Sequence, residues 1–295
     1  MANPVNSNGR ALTLLIILAL IWGTSFILMK RGLEVFSAGE LGSIRVAAAS
    51  IFLLPIALTK LKDLKSAHFA KLFASGMMGI FFPAFLFALA QTRLESSVTG
   101  IMNSLTPICT LLIGVAFFHQ HFRRESIIGI VIGFVGTIIL IMANTGGKIA
   151  GINFFAVFVI LACVFYATNL NFIKYKITDL QALTITSVSL MLIGPLAAIY
   201  LFGFTEFTHK LANHHKAWNA LGYVLLLGFM STSLATILFN KLVKISSPLY
   251  TSSVTYLIPV VAVLWGLLDG ESLFFGHFAG MIAIVGGVYL ANRKT

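Results

Sequence analysis

Ten long apolar segments recur along the whole chain, and they constrain its fold more than any other feature. The 295 residues are 58% hydrophobic and only 10% charged. This is more apolar than the core of a soluble protein requires. A helix needs about 20 apolar residues to cross the hydrocarbon core of a bilayer. In lipid, helices satisfy their own backbone polar groups. We therefore expect ten transmembrane helices, numbered spans 1 to 10, at residues 11–29, 39–59, 71–91, 96–118, 126–143, 151–173, 180–202, 218–240, 248–268 and 273–291.

The positions of the basic residues predict how these spans are oriented. With the N-terminus inside, thirteen Lys and Arg residues lie on cytoplasmic segments and six on the opposite side, while Arg45 lies within span 2. Such an excess follows the positive-inside rule. We expect a multi-pass protein of the plasma or inner membrane with cytoplasmic N- and C-termini. The net charge of +11 thus reflects topology and indicates a lipid bilayer, not nucleic acid, as the partner.

A long stretch of the first half recurs in the second half. Residues 94–140 resemble residues 246–291, and superposing Pro107 on Pro259 also aligns several glycines. A duplicated bundle has a boundary between its copies, and transporters bind their solutes at such boundaries near the bilayer midplane.

Counting spans gives the relative direction of the two copies. Each copy has five spans, and an odd number makes the second copy start from the opposite face. The sequence therefore predicts an all-α integral membrane protein of ten transmembrane helices in two inverted five-helix repeats, residues 1–145 and 146–295.

Polar side chains cluster inside the otherwise apolar spans 1, 4, 6 and 9. They lack hydrogen-bond partners in lipid, so they face either neighbouring helices or a wet cavity. Both interpretations stay open: interhelical hydrogen bonds or packing on one side, a solute-binding cavity on the other. The cavity candidates are Trp22, Thr24, Ser25, Asn103, Ser104, Tyr166, Asn169, Ser253 and Tyr256.

Two prolines and one arginine are further candidates. Pro107 and Pro259 lack a backbone donor and can kink their helices, either as a flexing point or as a purely structural bend. Arg45 is a charge well inside a span, which marks a functional candidate. It contacts an anionic group of a substrate, snorkels outward or pairs with Glu40. No mid-span Asp, Glu or His supports proton coupling.

The sequence predicts no cofactor, no metal site and no catalytic residue. It holds no P-loop, GxSxG or HExxH motif. The pairs His119/His121 and His214/His215 lie in loops without carboxylate or thiol support and are interpreted as solvated.

Five segments carry a family resemblance across both halves. They are IWGTSF at 21–26, IRVAAAS at 44–50, SLTPICTLLIGV at 104–115, YLIPVVAVLWGLLDGE at 256–271 and GHFAGMIAIVGGVYLA at 276–291. In order and spacing the chain resembles the EamA-type members of the drug/metabolite transporter superfamily. The resemblance implies ten helices, cytoplasmic termini, and export or exchange of small metabolites by alternating access. It also implies roles for Trp22, Arg45 and Glu271. His119 departs from the pattern, because a Glu is typical there.

These observations favour a secondary transporter that exports small metabolites such as amino acids. Spans 1, 3, 4, 6, 8 and 9 are expected to line its path, with the other spans peripheral. One alternative is a membrane-embedded enzyme for lipid-linked substrates, using the pair Glu40/Arg45 or Asp269/Glu271. Another is a membrane receptor that transports nothing.

Overall fold

The computed structural model describes residues 4–94, 96–144, 154–268 and 275–292, and over these ranges its regular structure is entirely helical. The α-helices are α1 (Pro4–Leu33), α2 (Ala38–Lys60), α3 (Ser66–Gly76), α4 (Phe82–Gln91), α5 (Ser96–Asn103), α6 (Thr106–Phe118), α7 (Arg124–Asn144), α8 (Ala156–Lys176), α9 (Ala182–Phe204), α10 (Phe207–Asn213), α11 (Ala217–Leu227), α12 (Ala235–Ile245), α13 (Pro248–Ser252), α14 (Val254–Leu268) and α15 (Phe275–Asn292). A 3-10 turn, Leu61–Asp63, follows α2.

Six continuous helices in the described ranges are long and apolar enough to cross a membrane. They are Gly9–Leu33, Ala38–Lys60, Ser66–Gln91, Ala156–Lys176, Ala182–Phe204 and Ala217–Ile245. Large apolar side chains on their outer faces are exposed, as expected where lipid replaces water as the solvent. The chain is therefore a multi-pass membrane protein.

Two of these helices contain a π-helical turn near their middle. Met77–Phe81 joins α3 to α4, and Gly228–Leu234 joins α11 to α12. In each turn a backbone N–H reaches five residues back, as from Phe82 to Met77. A π turn adds a residue to the helix and changes the direction of its side chains, and such turns are frequent at functional sites.

Predicted spans 4 and 9 are each divided into two helices. Span 4 becomes α5 and α6, separated at Ser104 and Leu105, and span 9 becomes α13 and α14, separated at Ser253. Pro107 is the second residue of α6, where a missing N–H costs little. Pro107 therefore begins a helix and does not kink one, whereas Pro259 lies inside α14.

Helices α7 and α15 pack closely through their glycines. A Cβ atom on Gly129 or Gly287 would overlap the backbone of the facing helix. This close approach matches the small-residue packing of membrane helices.

Two lysines connect the C-terminal ends of α8 and α12 at one end of the bundle. The Lys174 ammonium donates to the carbonyls of Val243 (3.0 Å) and Ser246 (2.5 Å) at the end of α12. In return, the Lys244 ammonium donates to the carbonyl of Ile177, just after α8. Lysines favour helix C-termini because the terminal carbonyls lack donors. We call Lys174 and Lys244 the lysine clasp.

A hydrogen bond between His68 and Asp179 lies at the same end. His68 Nδ1 accepts from the backbone N–H of Lys65, so Nε2 carries the proton and donates to Asp179, 2.8 Å away. This hydrogen bond lowers the pKa of the Asp179 carboxyl below its usual value.

The other end of the bundle is joined by an ion pair. Glu40, in the first turn of α2, is 1% exposed and accepts from the Lys210 ammonium of α10 at 2.7 Å. The same carboxylate completes a capping box with Ser37. This ion pair thus connects Glu40 in the first half of the chain to Lys210 in the second half, 170 positions later.

Candidate functional site

A cavity with an empty volume of about 570 Å³, counted out to its opening, lies between helices of both halves of the chain. It is lined by Trp22, Ser25, Phe26, Met29, Arg45, Phe87, Asn103, Thr106, Tyr166, Phe239, Ser252, Thr255 and Ile258. Mostly apolar walls with a few convergent polar groups are typical of small-molecule sites.

Aromatic rings form much of the cavity wall. The indole N–H of Trp22 donates to the carbonyl of Ser231 in the second π turn, at 3.1 Å. The Trp22 ring lies 5.0 Å from that of Phe239 and is tilted by 60°. Across the cavity, Phe87 lies 5.9 Å from Tyr166. The π turn therefore orients Trp22, and the rings leave a surface suited to an apolar or planar solute.

Arg45 brings a positive charge to this wall. Its Nε donates to the hydroxyl of Thr232 at 2.6 Å, and the residue is 8% exposed. Among the described residues, no carboxylate lies within 4 Å of its guanidinium. Glu40 pairs with Lys210 instead, so the Glu40/Arg45 pair considered from the sequence is not formed. Arg45 neither snorkels to an end of the bundle nor forms an ion pair with Glu40.

The break in span 4 brings polar groups to the cavity. Pro107 cannot donate to the carbonyl of Asn103, and the hydroxyl of Thr106 does so instead at 2.7 Å. Asn103 and Thr106 both line the cavity. The broken helix therefore presents side chains that a continuous apolar helix would not offer.

In span 9 a hydroxyl also takes the place of a missing backbone donor. Pro259 cannot donate to the carbonyl of Thr255. This carbonyl instead accepts from the hydroxyl of Ser104, in the other half of the chain, at 3.4 Å. Thr255 and its neighbour Ser252 complete the polar part of the wall.

The predicted candidates divide into two groups. Trp22, Ser25, Arg45, Asn103 and Tyr166 line the cavity together. Pro107 and Pro259 are buried and directly follow the lining residues Thr106 and Ile258. Glu271, like Asp269, lies outside the described residues.

The remaining candidates make hydrogen bonds away from the cavity. Thr24 donates to Leu20, Ser104 to Thr255, Ser253 to Tyr250 and Tyr256 to Ile130, while Asn169 accepts from Ser75. Asn169 packs against Gly79 of the first π turn, where a Cβ atom would overlap its amide. Ser104, Asn169 and Tyr256 therefore join helices to one another, which is the alternative interpretation of these polar residues. Thr24 and Ser253 instead donate to carbonyls three or four residues earlier in the chain.

Sequence reasoning missed span 2 as part of the cavity wall. It expected span 8 to line the path but did not single out Ser231 or Thr232 within it. Span 2 was expected to be peripheral, yet it carries Arg45 to the wall. Span 8 supplies Thr232 and the Ser231 carbonyl, which orient Arg45 and Trp22. The run Ser231–Thr232–Ser233 in the middle of an apolar span is the signal that points to them.

Three comparisons place the chain among known proteins. The model of the EamA-like transporter family matches it twice, over residues 9–142 and 153–293. An uncharacterized inner membrane transporter of Escherichia coli (strain K12), YedA, is 25% identical over 280 residues, which cover 93% of this chain and 88% of that protein. A probable amino-acid metabolite efflux pump of Salmonella typhimurium (strain LT2) is 23% identical over 289 residues, covering 94% and 93%.

A solved crystal structure has the same fold. It superposes with a TM-score of 0.74 at 15% sequence identity and covers 96% of each chain. Because the family model matches nearly the whole chain, the protein belongs to the EamA-like transporter family.

Proposed function

We propose that the protein is a secondary transporter that exports small metabolites by alternating access. One observation carries this proposal: the cavity lies where the two halves of the chain meet. Eight of its lining residues come from residues 1–145 and five from residues 146–295. A solute between the halves is exposed to one side of the membrane or the other as the halves rock.

We further propose ten spans in two inverted five-helix repeats, with both termini in the cytoplasm. The twofold match of the family model supports a duplicated chain. So does the correspondence of irregular elements, because spans 3 and 8 each contain a π turn and spans 4 and 9 are each broken. The excess of basic residues on one set of connections supports the orientation.

Amino acids are the first solutes to consider. The efflux pump of Salmonella typhimurium, whose printed name refers to amino-acid metabolites, aligns with this chain almost end to end. The cavity combines aromatic rings with Asn103, Thr106 and Arg45, which suits a solute with one polar and one apolar part.

The proposal is tested by counterflow of radiolabelled leucine and phenylalanine into proteoliposomes. The double variant Asn103→Ala/Tyr166→Ala removes two lining side chains from opposite halves, and we expect flux to fall about tenfold or more, a loss of ~1.4 kcal/mol. Thr168→Ala is the matched control, because the Thr168 hydroxyl donates to Val164 of its own helix, outside the cavity. Equal flux in both variants and in the unmodified protein would contradict the proposed site.

A further inference from the structure

The guanidinium of Arg45 has donors for which the described part of the chain supplies no acceptor. Arginine carries five N–H donors in one plane and stays charged at all accessible pH values. Of these, Nε is bound to Thr232, and no described residue accepts from Nη1 or Nη2. The side chain is more than nine-tenths buried and lines the cavity, so its remaining donors have only the cavity in which to find an acceptor.

Among the described residues, the cavity wall provides no negative charge to balance Arg45. Besides Arg45 and Met29, the described lining residues are aromatic, aliphatic, hydroxyl- or amide-bearing, and none of them is Asp or Glu. An unpaired charge in a medium of low dielectric constant is strongly disfavoured. A bound anion would remove that cost, whereas a bound cation would add to it.

The geometry of the free donors fits a carboxylate. The two terminal N–H groups of arginine match the two oxygens of a carboxylate and bind them in parallel. The Thr232 hydroxyl holds Nε and so limits rotation of the guanidinium plane. The aromatic rings that line the rest of the cavity offer their faces to an apolar body.

We propose that the cavity selects organic carboxylates of net charge −1 with an apolar, ring-sized body. This inference rests on the proposed transport function and names its substrate class. The carboxylate binds the terminal nitrogens of Arg45, and the body lies against rings such as Trp22 and Tyr166. A zwitterionic amino acid uses the same anchor, but its ammonium group finds no described carboxylate in the wall. Monoanions are therefore preferred over zwitterions of the same shape.

A series of three compounds of matched shape tests this without any mutation. 3-Phenylpropionate, phenylalanine and phenethylamine share a phenyl ring and differ in charge as monoanion, zwitterion and cation. Calorimetry with the purified protein in detergent should rank their affinities in that order, with about 100-fold between the first and the last, equivalent to ~2.7 kcal/mol. Equal or tighter binding of phenethylamine would overturn the proposal.

Variants at two positions assign the selectivity to Arg45. Arg45→Met keeps the length and removes the charge, and we expect it to lose 3-phenylpropionate binding without unfolding at a lower temperature, because an unpaired buried charge is removed. Arg45→Lys keeps the charge without the two parallel donors and should retain part of the affinity. Thr232→Val leaves the guanidinium in place but frees its rotation, so a weaker, still monoanion-selective site is expected.

Unchanged affinity for 3-phenylpropionate in folded Arg45→Met or Arg45→Lys would overturn the role of Arg45. Counterflow separates this inference from the proposed function. Binding of 3-phenylpropionate that depends on Arg45, with no flux of any compound, would support the recognition site and contradict transport. Flux of leucine and phenylalanine that is insensitive to Arg45→Lys and not inhibited by 3-phenylpropionate would support transport and overturn the carboxylate site.

Discussion

At the scale of single residues, two prolines shape the cavity through the carbonyls that they leave without a backbone donor. In an intact helix, residue 107 would donate to Asn103 and residue 259 to Thr255. Hydroxyls replace both donors, from Thr106 within the same half and from Ser104 across to the other half. A buried carbonyl without a donor is costly in lipid. The two hydroxyls therefore stabilise the broken helices that carry the polar residues of the cavity wall.

Thr106→Val tests this replacement. We expect it to lower the free energy of unfolding by about 0.5–1.5 kcal/mol, the usual net value of one hydrogen bond. In a Pro107→Ala background the restored backbone N–H can serve Asn103, so the same substitution should cost less. Unfolding in mixed micelles measures all four proteins of this double-mutant cycle. An identical cost in both backgrounds would show that Thr106 does not substitute for the missing donor.

At the scale of helices, glycines determine how closely α7 and α15 approach each other. Gly287 faces the backbone of Gly133 and Gly129, and the added methyl group of an alanine would overlap both. The adjacent Gly286 has open space around its Cβ position. Of these two neighbouring positions, 287 therefore has no room for a side chain and 286 does. The difference comes from packing against the facing helix.

Gly287→Ala should destabilise the protein by about 1–3 kcal/mol, because an overpacked contact forces the helices apart. Gly286→Ala is the matched control and should be neutral or stabilising by up to about 1 kcal/mol, because alanine is the better helix former. The thermal unfolding of both variants in detergent measures the difference. Equal effects at the two positions would contradict the close packing of α7 on α15.

At the scale of the whole molecule, different contacts join the two ends of the bundle. The lysine clasp and the His68–Asp179 pair lie at one end, and the Glu40–Lys210 pair lies at the other. A transporter that opens alternately to the two sides has to break the contacts of one end at a time. The clasp is suited to this because its acceptors are terminal carbonyls, which water can also satisfy.

Removing the lysine clasp should make the cavity more accessible from that end. In a background with Cys109 and Cys163 replaced by alanine, a cysteine at the lining position Ser252 reports access to a membrane-impermeant maleimide. We expect Lys174→Met/Lys244→Met to raise its labelling rate about tenfold, for a shift of ~1.4 kcal/mol between closed and open states.

Lys176→Met/Lys241→Met is the control for this experiment. Both of its lysines are exposed and lie on the same two helices, α8 and α12, as the clasp. It should leave the labelling rate unchanged. Equal rates in the two double variants would contradict a closing role for the clasp.

The sequence alone predicted the six continuous membrane-length helices, because bilayer thickness dictates the length of an apolar segment. It did not predict that spans 4 and 9 are each divided in two. Expected segments 39–59 and 180–202 correspond to α2 and α9 within two residues at either end. The clustering of polar residues in spans 4 and 9 was also predicted. The π turns were not, because nothing in local composition marks an extra residue within a helical turn.

The sequence by itself therefore determined that this is an all-helical membrane protein with polar groups placed inside its spans. Only the tertiary structure decided which polar groups face the cavity: Asn103 lines it, while Asn169 joins two helices. Likewise, only the tertiary structure decided that Glu40 pairs with Lys210 and that Arg45 has no carboxylate partner among the described residues. The physical reason is that the lipid around the protein is as apolar as the protein core. The pattern of apolar residues therefore does not show which face of a helix points inward. Packing against neighbouring helices determines how each helix is rotated about its axis.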